Sequence, residues 1–202
     1  MISRTNLIAI SVRVAFHDAA EFNINTTDLL GPDGCLSSDP DNAGMIEDTS
    51  LVMTTLESIW QNYCDRISRA DFWVYIAGIS INLASGYKVS IPFQYGRSDA
   101  TECQNDGTGR LPSGQFFYND TENFFLNQLN LNIEDGITLI GAHTVGHVHP
   151  NVSGHGQKCS NAANNDCNAW DNTPNVFDNL FYVNLINAVR KLITLILYQY
   201  TN

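Results

Sequence analysis

The stretch "RVAFHDAA", residues 13–20, places a guanidinium and an imidazole on one side of a segment with helical periodicity. Arg13, Phe16 and His17 fall at i, i+3 and i+4, which is one face of a helix. A cation this close to an imidazole disfavours its protonation, so His17 is predicted to be a neutral base. For this motif alone, the alternative is an exposed polar patch or a hydrogen-bonded core histidine.

A second group of histidines lies in "GITLIGAHTVGHVH", which predicts a buried helix carrying His143, His147 and His149. Gly141 and Ala142 are small enough to let a bulky group approach His143. Two histidine-bearing helices indicate a flat cofactor bound between them. A metal site made by the three histidines alone is an alternative, because zinc helices also carry i and i+4 histidines. However, zinc helices of this kind carry a glutamate between the histidines, and none lies there. A zinc site would also leave Arg13, Phe16 and His17 unexplained.

Apolar side chains recur at three- and four-residue steps in four segments, which predicts a mostly α-helical protein. The four stripes are Leu7, Ile10 and Val14; Val52, Leu56, Ile59 and Tyr63; Phe72, Ile76, Ile79 and Leu83; and Phe177, Phe181, Leu185, Ala188 and Leu192. Stretches rich in Gly, Pro, Asn and Asp lie between them and predict ordered loops. The chain shows no repeat and no linker, so residues 1–202 are predicted to form a single domain.

Charge and hydropathy exclude two classes of partner. The 202 residues carry a formal net charge of −11, which repels the phosphates of nucleic acids and anionic membrane surfaces. The longest apolar run, "LITLILY" at 192–198, is too short to span a bilayer. The chain is therefore predicted to bind neither nucleic acid nor membrane.

Potential glycosylation sites and cysteines predict a secreted protein. N-x-S/T sequons occur at Asn25, Asn119 and Asn151, and no C-x-x-C metal motif is present. The most economical of the possible disulfide pairings joins loop cysteines and leaves Cys64 over: Cys35 with Cys103, and Cys159 with Cys167. No signal peptide precedes residue 1, so secretion requires either processing or an incomplete N-terminus.

The two histidine motifs resemble the distal and proximal haem signatures of the plant-type (non-animal) haem peroxidases. R-x-x-F-H-D spans residues 13–18, and G-A-H-T-x-G-H spans residues 141–147. Further matches follow in the same order: "NAG" at 42–44, "RAD" at 69–71, "YGRSDA" at 95–100, "GRLP" at 109–112 and "NVFDNLFY" at 175–182. The resemblance covers roughly residues 4–190 and implies an all-α fold with haem b between a distal and a proximal helix.

The resemblance implies catalytic roles for Arg13, Phe16, His17 and Asn42. His17 would be the base that moves a proton between the oxygens of hydrogen peroxide, and Arg13 would stabilise charge as the O–O bond breaks. Asn42 would hydrogen-bond His17 and fix its tautomer, with a helix N-cap as a compatible alternative role. Phe16 would lie over the haem face.

On the opposite face, the resemblance implies His143 as the axial ligand of haem iron. It also implies further contacts with the cofactor by His147, His149, Trp170, Arg110 and Pro112. Trp170 aligns with the tryptophan beside the proximal histidine of cytochrome c and ascorbate peroxidases, where it either holds a radical or packs. Val152 occupies the place of the arginine with which ascorbate peroxidases contact ascorbate, so ascorbate is not the expected reductant. The resemblance implies small, phenolic electron donors at the haem edge instead.

Two calcium sites are implied by the family's secreted members. The proximal set offers hard oxygen ligands, namely Thr144, Asp171, Thr173, Val176 through its carbonyl, and Asp178. The distal set is Asp18, Gly31 and Asp33, but Cys35 stands where those members place a serine ligand. Thiol sulfur is a poor calcium ligand, so this site is predicted to be weak, or the loop to be held by a disulfide.

The resemblance weakens at the end of the chain. The tail at 191–202 does not resemble the family's C-terminal helices, and the aspartate that accepts the Nδ1 proton of the proximal histidine is not recognisable. We therefore expect a C-terminally truncated peroxidase with lowered activity, unless another acceptor such as a carbonyl replaces the aspartate. The alternative function is a haem-binding protein without catalytic activity.

Overall fold

The computed structural model of the protein describes residues 4–28, 30–37, 40–42, 45, 51–103, 109–112, 118–148 and 168–200. Helices dominate these residues, in the order α1 (Arg4–Ala20), α2 (Leu51–Trp60), α3 (Arg69–Ala84), α4 (Tyr118–Asn123), α5 (Ile133–Ile140) and α6 (Leu180–Tyr200). A π-helical turn at Phe124–Gln128 and two 3₁₀ turns, at Pro40–Asn42 and Gly141–Thr144, complete the set. Within the described ranges there is no strand, only an isolated bridge between His147 and Ala169. The prediction of an all-α fold is confirmed.

The main core joins the first three helices, and α1 packs chiefly against α3. Its buried side chains are Val14, Met45, Leu56, Phe72 and Trp73. Burying one large apolar side chain stabilises a fold by about 1.5–3 kcal/mol. Because Val14 of α1 is fully buried in this core, the next turn of the helix is held in a fixed orientation. That turn carries His17.

A second and a third cluster extend the core to the rest of the described chain. Phe124 and Phe125 of the π-helical turn pack with Ala20 at the end of α1 and with Leu111. At the opposite end, Ile8 of α1 packs with Ala84 and Val145, against which Phe177 also lies. The start of α1 is therefore in contact with the second histidine motif itself, through Val145.

The apolar stripes predict where the helices lie more accurately than they predict which helix faces are buried. In α3 the buried aromatic residues are Phe72 and Trp73, whereas the predicted core residue Ile79 is 41% exposed. Tyr63 lies in the turns after α2 and is 50% exposed, so the second predicted stripe extends beyond the end of the helix. In α6, Leu185 is 50% exposed. Periodicity identifies an apolar face but does not say whether a neighbouring element covers it.

The predicted buried helix through the second histidine motif is wrong. The observed helix, α5, begins at Ile133, where the Asn132 side chain caps it by accepting the Asp135 N–H at 2.8 Å, and it ends at Ile140. His143 lies in the following 3₁₀ turn, and His147 lies beyond Gly146, whose φ is +96°. A left-handed conformation ends the helical path there. His143 and His147 therefore do not share a helix face, which removes the basis for a zinc helix.

In the part of the chain that the structure describes, no helix has both the length and the apolar character needed to cross a bilayer.

Candidate active site

Arg13 and His17 lie one turn apart on α1 and contact each other as predicted. Nε of Arg13 lies 3.4 Å from Nε2 of His17, and Nη2 of Arg13 donates to the carbonyl oxygen of Asp41 at 3.3 Å. Burial lowers the pKa of Arg13, while the charge of Asp41 opposes that shift. A guanidinium remains protonated in proteins, so this is a fixed cation beside the imidazole.

The other nitrogen of the His17 ring is held by Asn42. His17 Nδ1 lies 2.9 Å from the side-chain oxygen of Asn42, which can only accept a hydrogen bond. Nδ1 therefore carries the proton, and Nε2 presents its lone pair. Desolvation by burial, and next the charge of Arg13, lower the pKa of His17 to about 3, although the Asn42 contact acts in the opposite direction. His17 is a neutral base at physiological pH.

Asn42 is itself held by a buried carboxylate that the sequence reasoning missed. Its Nδ2 donates to Glu21 Oε1 at 2.8 Å and to the carbonyl oxygen of Ser37 at 3.1 Å. Ser37 donates to the same Glu21 oxygen through its N–H and its hydroxyl, both at 2.9 Å. Glu21 is 1% exposed, and burial raises its pKa. A carboxylate four residues after His17 at an apolar helix end was the available signal.

Phe16 packs beside the base. Its ring centroid lies 5.9 Å from that of His17 and 6.5 Å from that of Phe124, both in edge-on arrangements. Edge-on packing of this kind restrains both partners. Phe16 thereby links the His17 face of α1 to the cluster around the π-helical turn.

His143 packs against two aromatic rings. Its ring centroid lies 4.3 Å from that of Trp170 and 5.5 Å from that of Phe181. The residue as a whole is exposed, yet desolvation of the ring lowers its pKa, against a hydrogen bond to the carbonyl of Ile140 that raises it. His143 also contributes to lowering the pKa of His17, so the two imidazoles affect each other electrostatically. With lowered pKa values, both imidazoles are neutral, and each can offer a nitrogen lone pair to a metal or a proton.

Gly141 allows a close approach between the 3₁₀ turn and α6, and its predicted role toward a cofactor stays a prediction. A Cβ at this position would lie 3.0 Å from the ring of Tyr182, whose hydroxyl donates to the carbonyl of Ile137. The small residue therefore lets the 3₁₀ turn pack closely on α6. Close packing of this turn fixes the backbone two residues before His143.

Four of the predicted proximal metal ligands are brought together next to His143. Thr144 is fully buried, and its hydroxyl donates to Asp171 at 2.6 Å and lies 3.2 Å from Asp178. Thr173 Oγ1 lies 3.2 Å from Asp171 and 3.1 Å from Asp178. Val176, the fifth, donates its N–H to the carbonyl of Thr173 at 2.8 Å. Only two of these residues are carboxylates, and no group of three or more His, Cys, Asp or Glu with metal-site geometry occurs among the described residues.

The distal set is held by backbone amides. The fully buried Asp18 carboxylate accepts N–H groups from Asp33 at 3.3 Å, Gly34 at 3.1 Å and Cys35 at 3.2 Å. Burial, the largest cause, raises the pKa of Asp18 to about 8. Asp33 also donates its N–H to the carbonyl of Gly31 at 2.7 Å. Two of the three predicted ligands, Gly31 and Asp33, therefore lie in one loop, and the third, Asp18, accepts hydrogen bonds from that loop. Calcium binding there stays a prediction.

The loop is closed by a disulfide, which confirms one predicted pairing. Cys35 is joined to Cys103, with their Cα atoms 5.5 Å apart. Cys64 is exposed and is a free thiol, as the pairing predicted. The second predicted pair, Cys159 with Cys167, lies outside the described residues, as do His149 and Val152.

Two other predicted cofactor contacts lie beside the end of α1. Arg110 donates to the Asp28 carboxylate at 2.6 Å and to the carbonyl of Glu21 at 3.2 Å. Its own carbonyl accepts from the Gln128 side chain at 2.7 Å. Arg110 therefore ties three segments together, and Pro112 follows it in a partly buried position. Their roles toward a cofactor, like that of His147, stay predictions.

A family model described as "Peroxidase" matches residues 1–197. The chain is 28% identical over 90% of its length to the mitochondrial cytochrome c peroxidase of Candida glabrata, of which it covers 47%. It is 26% identical over 95% of its length to cytosolic L-ascorbate peroxidase 2 of Oryza sativa subsp. japonica, of which it covers 70%. L-ascorbate peroxidase 3 of Arabidopsis thaliana is 25% identical over 93% of the chain, which covers 60% of that protein. The chain thus spans between about half and 70% of these relatives.

The predicted secreted localisation is wrong. The names of these relatives assign them to mitochondria and to the cytosol, rather than to the secreted members of the family. Sequons and cysteines misled the prediction, because an Asn-rich chain contains N-x-S/T by chance and a paired cysteine does not by itself fix a compartment.

Proposed function

The chain belongs to the peroxidase family, and on that premise we propose that it is a haem peroxidase that reduces hydrogen peroxide and oxidises small phenolic donors. The observation that carries the proposal is the contact between His17 Nδ1 and the Asn42 side-chain oxygen, at 2.9 Å. It leaves Nε2 as the basic nitrogen next to the Arg13 cation, which is the pair that peroxide cleavage needs. The proposal treats residues 1–202 as one domain.

The residues of the site fit a haem group. A neutral imidazole is a suitable axial ligand of haem iron, and the pKa of His143 is lowered. The two imidazoles stand on separate elements, His17 on α1 and His143 on the 3₁₀ turn at Gly141–Thr144, and the proposal puts the cofactor between them. When bound, haem supplies an iron centre that exchanges electrons with peroxide and with the donor. His143 would hold the iron, and Trp170 would pack beside that ligand.

His17 moves the proton. Its Nε2 accepts a proton from one oxygen of hydrogen peroxide and returns it to the other oxygen, which leaves as water. With a pKa lowered to about 3, the imidazole holds that proton only briefly and is neutral again for the next turnover. Asn42 keeps the ring in the correct tautomer throughout, because Nδ1 donates to it in every step.

Arg13 stabilises the charge that develops on oxygen as the O–O bond lengthens. Its guanidinium is fixed by the Asp41 carbonyl and by His17, so it needs little reorganisation during the reaction. Burial strengthens this interaction, since a charge acts over a longer range in a medium of low dielectric constant.

The proximal oxygen cluster is proposed to hold a calcium ion. Carboxylates of Asp171 and Asp178, hydroxyls of Thr144 and Thr173, and the carbonyl of Val176 are all hard oxygen donors. Their mutual contacts at 2.6–3.2 Å support a compact site. Since Thr144 directly follows His143, a cation there would brace the axial ligand.

The donor is proposed to be phenolic on sequence grounds. Val152 replaces the arginine with which ascorbate peroxidases contact ascorbate. An aliphatic side chain offers no donor to an anionic ligand, whereas a neutral phenol does not need one.

Titration with ferric haem, followed by hydrogen peroxide and the phenol guaiacol, tests the proposal. We expect stoichiometric haem binding that His143→Ala weakens, and guaiacol oxidation that His17→Ala abolishes without loss of haem. The matched control is Asn62→Ala, a substitution at an exposed position that should leave both signals unchanged. Haem binding without peroxide consumption would overturn the enzymatic proposal and leave a haem-binding protein.

A further inference from the structure

A cavity of about 560 Å³ that is widely open to solvent lies beside the start of α3 and shares no residue with the candidate active site. Its volume falls within the range of about 300–1,000 Å³ that is usual for small-molecule sites. The chemistry assigned to the two histidines makes no use of it.

Aromatic rings form the apolar part of this cavity. Tyr75 and Phe93 pack with ring centroids 5.1 Å apart, and Tyr95 extends the aromatic surface. Tyr75 is 46% exposed and Tyr95 is 86% exposed, so a large part of each of these two side chains is in contact with water. Exposed ring faces next to one another favour a flat apolar ligand, which stacks on them and removes them from water.

The loop that carries Tyr95 is fixed from beneath by Asp71. The Asp71 carboxylate is 4% exposed and accepts N–H groups from Gly96 at 2.6 Å and Arg97 at 3.3 Å. It also pairs with the Arg97 guanidinium at 2.8 Å, and Arg97 donates to the carbonyl of Gln94 at 2.6 Å. The backbone beside Tyr95 is therefore held in place before a ligand arrives, which lowers the entropic cost of binding.

Arg66 supplies the positive charge of the cavity. Asp71 neutralises Arg97, whereas Arg66 has a surface contact of 3.6 Å between its Nε and Asp65, with both side chains more than 70% exposed. Such exposed pairs are weak, so the Arg66 guanidinium can bind a different anion. Ser68 lies on the same wall; its oxygen accepts the Asp71 N–H, and its hydroxyl hydrogen can still be donated.

We propose that this cavity binds a small aromatic carboxylate. The ring stacks among Tyr75, Phe93 and Tyr95, and the carboxylate binds the Arg66 guanidinium, with the Ser68 hydroxyl as a second donor. The chain as a whole has a net charge of −11 and repels anions, but the Arg66 cation attracts one locally. Because aromatic rings lie beside Arg66, the site favours an anion that also carries an aromatic ring. Binding involves no group of the haem site and requires no turnover.

Calorimetric titration of the full chain with cinnamate, in the presence and absence of haem, tests this site. Cinnamate has no phenolic hydroxyl, so it is not a substrate of the proposed peroxidase reaction, and the two proposals fail independently. We expect saturable 1:1 binding that does not depend on haem. Cinnamamide lacks the charge and 3-cyclohexylpropanoate lacks the aromatic ring, so each should bind at least about fivefold more weakly.

Two exposed residues provide variants that should leave the fold intact. Arg66→Gln and Tyr95→Ala should each weaken cinnamate binding about fivefold or more. Lys88→Gln and Tyr118→Ala make similar chemical changes at exposed positions outside the cavity and should change the affinity less than about twofold. The absence of saturable binding, equal binding of cinnamamide, or an affinity unaffected by both cavity variants would overturn the proposal.

Discussion

His17 Nδ1 lies 2.9 Å from the side-chain oxygen of Asn42, and this contact decides which ring nitrogen keeps its lone pair. Asn42 is in turn fixed by Glu21 at 2.8 Å, so the orientation of the imidazole is set by buried groups and not by the substrate. Arg13 approaches the remaining nitrogen, Nε2, at 3.4 Å. One turn of α1 therefore combines a neutral imidazole, held by Asn42, with a fixed guanidinium, held by the carbonyl of Asp41.

Replacing Asn42 with valine should slow the reaction with peroxide. Without the acceptor, His17 can adopt the other tautomer, and Nε2 is then protonated in part of the molecules. Loss of such a supporting contact lowers activity by about 10- to 100-fold, so kcat/KM for hydrogen peroxide should fall by that factor. Asn62→Val is the exposed control. Equal kcat/KM values in Asn42→Val and the unmodified protein would show that Asn42 does not orient the base.

His17 should make the stability of the protein depend on pH. Its pKa is about 3 in the folded protein and 6.5 in an ordinary environment, so the unfolded chain binds the proton more readily between these values. The contribution is complete above pH 6.5 and is lost as the pH falls towards 3. Urea denaturation of His17→Gln should therefore show a less steep decrease in the free energy of unfolding over this window. Parallel curves for the two proteins would contradict the lowered pKa.

Removing the disulfide between Cys35 and Cys103 should destabilise the chain. The two cysteines are 68 positions apart, and closing a loop of that size contributes about 4 kcal/mol in the chain-entropy description. The double variant Cys35→Ser/Cys103→Ser should lose stability of that order in chemical denaturation. Cys64→Ser, at the exposed free thiol, should change stability by less than about 0.5 kcal/mol. A double variant as stable as this control would show that the bridge does not constrain the fold.

Chelation should lower the melting temperature if the proximal cluster binds calcium. A ligand present at about 100 times its dissociation constant stabilises a protein by about 2.7 kcal/mol, so EGTA should lower Tm by several degrees, and added calcium should restore it. Asp171→Asn should melt at the lower temperature with or without EGTA, while Asp65→Asn, at an exposed position, should respond like the unmodified protein. Identical melting curves with and without EGTA would exclude a stabilising cation.

Local patterns in the sequence predicted the parts of the site that local geometry determines. The i, i+4 spacing of Arg13 and His17 fixes their proximity, because a helix brings such residues together wherever it packs. Asn42 was assigned only through a family resemblance, since nothing near it in the chain indicates a contact with His17, 25 positions away.

Long-range packing determined the parts that were missed. A carboxylate at an apolar helix end signals that Glu21 is buried, but its partners depend on the return of the loop that carries Ser37 and Asn42 over the end of α1. The α-helix ends at Ile140, and the chain leaves the path of the following 3₁₀ turn at Gly146, where a Cβ would lie 3.1 Å from that of Ala9. Apolar periodicity continues through this point in the sequence, but the contact with α1 and the positive φ turn the chain away.

The rate constant for the first reaction of the haem-loaded protein with hydrogen peroxide, followed by stopped-flow absorbance, tests the central claim most directly. If His17 is the base, His17→Leu should lower this rate constant at least about 100-fold without releasing haem. The same kind of substitution at an exposed position, Asn62→Leu, should leave it unchanged. A rate constant for His17→Leu within a few-fold of the unmodified protein would contradict the account.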